Sequence, residues 1–462
     1  MLRGIPRVAL FAGLSMAGLL AASAQSDDWT ACAKASGQAA LAACDRAIGS
    51  GRLSGRVLTL AYSNRGVEWT AKGEVTRAID DYDNAIKHDP SQAAAYHNRG
   101  IARAVKREFD NAISDYDEAI RLNPKFASAF GNRGLARFNK GDLERAVADY
   151  DEAIRLAPDA VSLNNRGNAY ASRGEFDRAV RDFDEAVTLD PRYAIAFYNR
   201  GNAHFAKTDP DRAIRDYDHA LAIDPKYQDA LVNRGVAYER KGQIEQAIRD
   251  YDDAIKLDPK DAFALNNRGN AFFKKGQPAR AITDYDQAIR LAGNYAAAYF
   301  SRAIANENRR QYSAAIVDYG HVTRLQPANT AAWNSRCWSR AVTGELQAAL
   351  ADCNEALRLR PDFVHALDSR AFVHLKSGRF DDAIADYDAA LRIEPKKVAS
   401  LYGRGMAKRR KNDFAGGNED IAAARALKAD VSVEFARYGV SPPLSDLPSR
   451  REAERPVLRA PF

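Results

Sequence analysis

The chain has 462 residues, of which 46% are hydrophobic and 28% are charged, and its formal net charge is +7. This hydrophobic content is ordinary for a globular chain. Lysine and arginine alternate with aspartate and glutamate throughout, so the concentrated basic stripe that a nucleic-acid-binding protein needs is absent and no nucleic-acid partner is expected.

The amino-terminal segment, residues 1–24, is predicted to be a signal peptide. Arg3 and Arg7 form a basic start, residues 8–20 form a short apolar run, and Ala-Ser-Ala at residues 22–24 fits the small-x-small cleavage pattern. The apolar run is too short to span a bilayer, and no second one follows. We therefore expect a protein that is exported to the periplasm or secreted, with no membrane insertion after cleavage.

Residues 25–58 are predicted to form one degenerate helix hairpin that caps the amino-terminal end of the fold. Cys32 and Cys44 lie symmetrically about a point one residue past Gly37. Antiparallel helices would place these two positions opposite each other, and cysteines of an exported protein are usually paired. We predict a disulfide between them, and the alternative is two buried free thiols.

Residues 59–431 repeat one pattern eleven times, at intervals of 34 residues. An Asn-Arg-Gly triplet, first seen at residues 64–66, marks the earlier repeats, and an Asp-Tyr-Asp triplet such as residues 81–83 follows most of them. A period of 34 is typical of a solenoid of helix pairs and not of a compact enzyme domain.

The repeat unit resembles the tetratricopeptide repeat. In that family the first helix carries an aromatic residue, Gly and a second aromatic residue, and the second helix carries Ala, an aromatic residue and Ala before a Pro. In residues 194–227 these places hold Phe197, Gly201, His204 (where Tyr is usual), Ala213, Tyr217, Ala220 and Pro225. The resemblance implies an all-α, right-handed superhelical solenoid of antiparallel helix hairpins.

One feature departs from the usual pattern of that family. The position before the small residue, commonly Leu, is Arg in all eleven units, and an Asp always follows sixteen residues later, as in Arg65 with Asp81 and Arg200 with Asp216. Guanidinium and carboxylate form bidentate, charge-assisted pairs. We predict a ladder of structural ion pairs along the helix packing, and the alternative is a row of arginines that binds anions.

Two further cysteines lie in the ninth repeat. Cys337 and Cys353 are symmetric about a point one residue past the turn glycine Gly344. Cys337 takes the place of the repeated Gly and Cys353 that of the repeated Tyr, which favours a disulfide within this hairpin. Free thiols remain the alternative.

The carboxyl-terminal end differs from the repeats. Residues 432–440 are predicted to form a last amphipathic helix that covers the final apolar face. Residues 441–462 are rich in Pro and Arg and are predicted to be a disordered tail.

The resemblance also implies that the first helices line a concave groove, and two rows of asparagine map to it. This pattern resembles the asparagine ladder in the repeat region of O-linked N-acetylglucosamine transferase, whose amides hold a peptide backbone. An amide offers both a donor and an acceptor to a main chain. The alternative is that these amides serve packing or local backbone. The predicted groove residues in these rows are Asn98, Asn132, Asn165, Asn168, Asn199, Asn202, Asn233, Asn267 and Asn270.

Aromatic side chains map to the same face, in addition to the aromatic places of the repeat itself. Exposed aromatic residues in a groove are typical binding anchors. The predicted anchors are Phe138, Tyr198, Phe205 and Phe273, and the mapped face continues through Phe300, Trp338 and Phe372.

No catalytic arrangement is found in the sequence. The seven histidines are scattered, and no HExxH, GxSxG or phosphate-loop motif occurs. The repeated Asp-x-Asp pairs are too regular for a metal site. We therefore expect no enzyme activity, no metal and no cofactor.

Two functions follow from these observations. The first is an exported scaffold that binds an extended peptide or a partner protein in its concave groove. The second is an accessory or regulatory subunit of an envelope assembly or enzyme complex that uses its convex face or its caps.

Overall fold

The computed structural model describes residues 27–440, and this part of the chain consists of α-helices and their connections, without a strand. The predicted all-α class is thereby confirmed. The chain divides into two compact units, residues 1–227 and 228–462, and each is described by itself. The predicted signal peptide and the predicted disordered tail lie outside the described residues.

The first unit contains six consecutive helix hairpins within its described residues. Its helices are α1 Asp27–Lys34, α2 Gly37–Gly49, α3 Gly55–Ala71, α4 Val75–His88, α5 Ala93–Val105, α6 Phe109–Leu122, α7 Ala127–Asn139, α8 Leu143–Leu156, α9 Ala160–Ser172, α10 Phe176–Leu189, α11 Ala194–Ala206 and α12 Pro210–Ile223.

The second unit contains six further hairpins and one short last helix within its described residues. Its helices are α13 Gln228–Arg240, α14 Ile244–Leu257, α15 Ala262–Lys274, α16 Pro278–Leu291, α17 Ala296–Asn308, α18 Tyr312–Leu325, α19 Thr330–Thr343, α20 Leu346–Leu359, α21 Val364–Lys376, α22 Phe380–Ile393, α23 Val398–Arg410, α24 Phe414–Leu427 and α25 Val431–Arg437.

Within each unit, every helix packs mainly against the helix before it and the helix after it. A residue with left-handed backbone ends most of the first helices, for example Gly73 with φ +80°. The same conformation recurs at Arg107 and Thr208, where no glycine is present, so the turn geometry is kept when the residue type changes. The hairpin is therefore specified by its packing as well as by its turn.

In most repeats the hairpin closes where a small residue of the first helix meets an aromatic ring of the second. A Cβ placed on Gly201 would lie 2.7 Å from Cε1 of Tyr217, which is itself buried. Ala213 and Ala220, on either side of Tyr217 along α12, are completely buried as well. Small residues at these places let the two helix backbones approach closely, which explains why they recur.

The packing around the aromatic ring differs in the repeat formed by α21 and α22. In α21 the small residue is Ala371, and the ring of the buried Tyr387 lies against Gly403 of the following first helix. The other repeats all carry Asn or Ser at the place of Gly403. The missing side chain at Gly403 leaves the space that the Tyr387 ring fills, whereas Ala303 packs with Tyr319 while Ser335 stands at the following place.

The Arg and Asp that recur sixteen residues apart along the chain form ion pairs inside the hairpins. Arg200 donates from Nε and Nη2 to the carboxylate of Asp216, with 2.7 Å between Nη2 and Asp216 Oδ1. The third nitrogen, Nη1, donates to Asp184 on the second helix of the preceding hairpin at 2.7 Å. Each such arginine thus joins its own hairpin to the one before it, and we call this three-residue arrangement a rung.

The rung recurs in both units. Arg65 bridges Asp81 and Asp45 in the same way, with 2.7 Å to each carboxylate. Within one unit, further arginines that bridge two aspartates are Arg99, Arg133, Arg166, Arg268, Arg302 and Arg404.

The carboxylate inside the hairpin is the buried member of each rung. The Asp81 side chain is 4% exposed and that of Asp45 is 55% exposed. Burial raises the pKa of Asp81 in spite of its bond to Arg65. At Asp420, burial acts in the same direction, but Arg404 and Lys408 together lower the pKa below its usual value. A buried carboxylate of this kind needs its cation.

Two consecutive rungs lack the second carboxylate. Gly320 and Asn354 stand where the preceding hairpin otherwise supplies an Asp. Arg336 Nη1 donates to Thr323 Oγ1 instead, and Arg370 Nη1 donates to Asn354 Oδ1, each at 3.0 Å. The hairpin α19–α20 is therefore joined to both of its neighbours at this place by hydrogen bonds from arginine to a neutral acceptor instead of a carboxylate.

The same hairpin contains one of the two disulfides. The structure brings each predicted cysteine pair to disulfide distance, Cys32 with Cys44 and Cys337 with Cys353. Cys337 and Cys353 are completely buried and link α19 to α20 at the level where other hairpins pack Gly against an aromatic ring. The covalent bond thus replaces the Gly–Tyr contact.

We expect Gly403→Ala to lower the free energy of unfolding by about 2 kcal/mol, because the new methyl group overlaps the tip of the Tyr387 ring. This loss should exceed the gain of about 1 kcal/mol that alanine brings to a helix. Chemical denaturation followed by circular dichroism measures the difference. Gly293→Ala is the matched control, since nothing lies within 4 Å of the added atom. Equal stabilities of the two variants would contradict the packing described for Tyr387.

We expect Arg200→Leu to destabilise the protein by about 3 kcal/mol, because Asp216 keeps its charge in a buried place without its main partner. The double variant Arg200→Leu, Asp216→Leu should lose less, since no charge is then left behind. A denaturant titration of the three proteins makes the comparison. If the single and double variants are equally unstable, the aspartate is not held by its arginine as described.

Candidate functional site

The candidate site is a face formed by the first helices of successive hairpins, which we call the first-helix face. In α11 its side chains are Tyr198, Asn199, Asn202 and Phe205, and Asn202 and Phe205 follow Asn199 at intervals of three residues, about one helix turn. All four are partly buried. The equivalent positions of the other first helices supply the rest of the face in each unit.

Two of the predicted ladder amides donate to the preceding first helix. Asn199 Nδ2 donates to Asn164 Oδ1 at 2.8 Å, and Asn132 Nδ2 lies 3.0 Å from His97 Nε2. Asn164 and His97 occupy the same place in their respective repeats, thirty-five residues before the amide that they meet. These amides therefore use part of their hydrogen-bonding capacity to join neighbouring hairpins.

The second row of amides contacts the aromatic core. Tyr217 donates its hydroxyl hydrogen to Asn202 Oδ1 at 2.8 Å, and Tyr285 does the same to Asn270 Oδ1 at 2.9 Å. The corresponding aromatic residue for Asn168 is Phe183, which has no hydroxyl group. This part of the predicted ladder thus has a structural role in two of its three members.

The other predicted amides are not in one environment. Asn98 is 6% exposed and lies in the packed interior beside His97. It is therefore not on an open groove. The remaining predicted amides are half-buried, namely Asn165, Asn168, Asn233 and Asn267.

Two adjacent amides on α15 have unused hydrogen-bonding atoms. Asn267 Nδ2 and Asn266 Oδ1 are buried, and neither has a hydrogen-bond partner. For Asn267 the cause is Val232, which stands thirty-five residues earlier, where His97 or Asn164 would accept a bond. A buried polar atom without a partner costs about 1–3 kcal/mol, so its presence requires an explanation. Sequence analysis missed Asn266, although the spacing of thirty-five residues contains the signal.

The four predicted aromatic anchors are all partly buried. Phe138 packs against the core cluster around Tyr150, and Phe273 packs against the cluster around Tyr285. The ring of Tyr198 lies 4.9 Å from that of Tyr227. The first-helix face therefore combines amides with the edges of aromatic side chains.

The expectation that this face continues as exposed aromatic residues through Trp338 and Phe372 is wrong. Trp338 is 8% exposed and Phe372 is 1% exposed. The reason is α25, because Tyr438 just after it packs its ring 4.9 Å from Trp338, and Phe435 packs 5.8 Å from Phe372. The carboxyl-terminal helix covers the first-helix face of the last repeats.

Within residues 27–440, no three His, Cys, Asp or Glu side chains are grouped so that they could hold a metal ion. No helix in that range has both the length and the apolar character needed to cross a membrane.

We expect the stability of the protein to fall when the pH is lowered from 7 to 5, in part because of His97. Burial lowers the pKa of His97 to about 4, only partly opposed by hydrogen bonds that the imidazole donates to Asn98 and to the Ser128 backbone. The unfolded chain takes up this proton near pH 6.5 and the folded chain does not, so this contribution to stability is complete above pH 6.5 and decreases toward pH 4.

This contribution should amount to about 2 kcal/mol between pH 6.5 and 5. Denaturant titrations at pH 7 and pH 5 give the change in the free energy of unfolding for the wild-type protein and for His97→Gln. The variant should lose less free energy of unfolding between the two pH values. An equal loss in both proteins would show that His97 is not kept neutral by its burial.

Models of the tetratricopeptide repeat match more than half of the chain. The model described as TPR repeat matches residues 68–104, 167–207 and 240–276. Models described as tetratricopeptide repeat match residues 97–161, 194–227, 262–295, 216–249 and 364–397. No curated protein sequence matches the chain.

Solved structures with similar helix arrangements include tetratricopeptide repeat proteins. One from Parabacteroides merdae is 19% identical, with 53% of this chain and 97% of that chain covered and a TM-score of 0.44. The hetero-tetramer Cut9-Hcn1 of the APC/C is 14% identical, with 80% and 93% covered and a TM-score of 0.45. YrrB, described as a TPR protein with an unusual peptide-binding site, is 24% identical, with 40% and 95% covered and a TM-score of 0.34.

The matched repeats extend over both units of the chain. The period, the Gly–aromatic packing and the matched family models agree. The chain belongs to the tetratricopeptide repeat family.

Proposed function

We propose that the protein binds an extended peptide segment of a partner protein on its first-helix face, with α15 at the centre of the site. Tetratricopeptide repeat arrays are typically non-catalytic scaffolds for protein–protein interaction, and the repeats of this chain support that general role. The observation that carries the finer proposal is the pair of unused amide atoms at Asn266 and Asn267.

The chemistry of these two atoms suits a peptide main chain. Asn267 Nδ2 is a donor and Asn266 Oδ1 is an acceptor, and they belong to adjacent residues of one helix. A main chain presents both C=O and N–H groups at every residue except proline. Both atoms are covered in the free protein, so a bound segment in extended conformation satisfies them once the side chains around them move aside, without any requirement on its own side chains.

The surroundings of α15 support binding of a chain rather than of a small polar molecule. Phe273 is partly buried on the same helix, and Phe263 at its start is 51% exposed. Phe300 on α17 continues the aromatic surface within the unit and packs against Tyr319. Aromatic surface of this kind supplies most of the affinity at protein interfaces, while the amides orient the main chain.

The two cysteine pairs support a role in an oxidising compartment. Together with the signal-peptide pattern of residues 1–24, they support export to the periplasm or beyond the cell. The partner is then a protein of the same compartment.

We expect Asn267→Leu to lower the affinity for a bound peptide about tenfold, because one main-chain hydrogen bond is lost. The folded stability should not fall, since Nδ2 has no partner inside the protein. The probe is a peptide selected from a random twelve-residue library on the wild-type chain, and its dissociation constant is measured by fluorescence anisotropy. An affinity that is unchanged in Asn267→Leu would rule out this position as the site.

Asn132→Leu is the matched control. Its amide lies in the same row but is used by His97, so this change should reduce stability and leave the peptide affinity unchanged. A partner that is captured from a native envelope extract equally well by wild-type protein and by Asn267→Leu would instead favour an accessory subunit that uses its convex face or its caps.

A further inference from the structure

The last helix crosses the first-helix face of three consecutive repeats. Phe435 lies 4.7 Å from the ring of Tyr402 on α23 and 5.8 Å from that of Phe372 on α21. Tyr438, just after the helix, lies 4.9 Å from Trp338 on α19. Two aromatic side chains of one short segment thus contact the first helices α19, α21 and α23.

The covered surface is the direct continuation of the candidate site. Trp338, Phe372 and Met406 occupy the place that Asn270 holds on α15, and all three are buried beneath the last segment. On the last repeats, the segment around α25 therefore occupies the place that the proposed peptide occupies on the earlier repeats. The side chains of α25 show which residue types this surface can hold.

The fit of α25 to this surface is incomplete. A cavity of about 420 Å³ that is partly open to solvent lies beside it, lined by Trp338, Phe372, Phe435 and Tyr438 together with charged residues that include Asp368 and Lys397. Tyr387 also lines the cavity, is completely buried, and its hydroxyl group has no hydrogen-bond partner. An unpaired buried hydroxyl group costs stability.

The helix also depends on these contacts for its own structure. It has only seven residues, and a helix of that length does not form in isolation. Lys428 pairs with Glu434 at 2.7 Å and ties the start of the helix to the end of α24. Besides this tether, its attachment consists mainly of the apolar side chains that it places on the three first helices.

We propose that the first-helix face of α19, α21 and α23 is a second docking surface, for a partner segment with two aromatic side chains three residues apart, and that α25 occupies it until such a segment replaces it. This inference rests on the proposed function, that first-helix faces of this protein bind peptide segments. The spacing is that of Phe435 and Tyr438. A partner residue that is larger than Phe435, or that accepts a hydrogen bond from Tyr387, fills what α25 leaves open.

An acidic residue beside the aromatic pair suits the edge of the same surface. Lys396 and Lys428 line the cavity, and Glu434 of α25 already pairs with Lys428. A partner segment with Glu before its first aromatic residue reproduces that ion pair. The charge adds orientation more than affinity, since a partly exposed pair contributes little.

The test uses the full chain and a labelled synthetic peptide with the sequence of residues 429–440. In the wild-type protein the attached helix competes at high effective concentration, so the peptide should bind weakly. In the double variant Phe435→Ala, Tyr438→Ala it should bind at least tenfold more tightly. A peptide with Phe435→Trp should bind more tightly still, because it fills more of the cavity. Adding Phe372→Ala to the double variant should abolish binding.

Two results would overturn the proposal: no binding of the peptide by a double variant of unchanged helicity, or binding that Phe372→Ala does not affect. If the double variant does not fold, hydrogen exchange of the wild-type protein decides. The amides of α25 should exchange at least tenfold faster than those of α23 and α24, and equal protection would contradict a displaceable helix. The proposed function is tested separately, by peptide binding at α15 in the Asn267→Leu variant. A failure of that proposal is therefore distinguished from a failure of the second docking surface.

Discussion

The arrangement of the repeats depends on one buried ion pair and its extension to the neighbouring hairpin. In each full rung an arginine on a first helix satisfies a carboxylate that is almost inaccessible to water, and its remaining nitrogen reaches a carboxylate of the preceding second helix. A buried aspartate without its arginine would leave an uncompensated charge. The two residues therefore recur together, and one guanidinium determines both how a hairpin closes and how it stacks on the one before it.

The hairpin α19–α20 shows what replaces this arrangement where it is interrupted. Both of its connections to neighbouring hairpins lose a carboxylate, at Gly320 and Asn354. The same hairpin has exchanged its Gly–aromatic contact for the bond between Cys337 and Cys353. A covalent link between the two helices does not depend on the neighbouring repeats. The bond between Cys32 and Cys44 gives the hairpin α1–α2 the same kind of internal link.

On the first-helix face, the side chains of two neighbouring repeats together decide whether an asparagine has a hydrogen-bond partner. An asparagine there is a structural residue when the preceding repeat offers an acceptor, as Asn164 does to Asn199. The same residue type keeps an unused donor where the preceding repeat offers a methyl group, as Val232 does near Asn267. Irregularities in the repeat pattern therefore decide which amides stay without a partner, and the proposed binding site lies at one of them.

The sequence by itself determined the helix hairpins, the aspartate sixteen residues after each arginine and the cysteine pairs. These features depend on contacts at constant separations along the chain, such as the sixteen residues between Arg200 and Asp216, which a repeating pattern makes visible. Only the tertiary structure decided which amides remain unused and that Trp338 and Phe372 are covered. An unused amide depends on the side chain of the neighbouring hairpin. The burial of Trp338 depends on Tyr438, one hundred residues later, where the chain folds back over its own repeats.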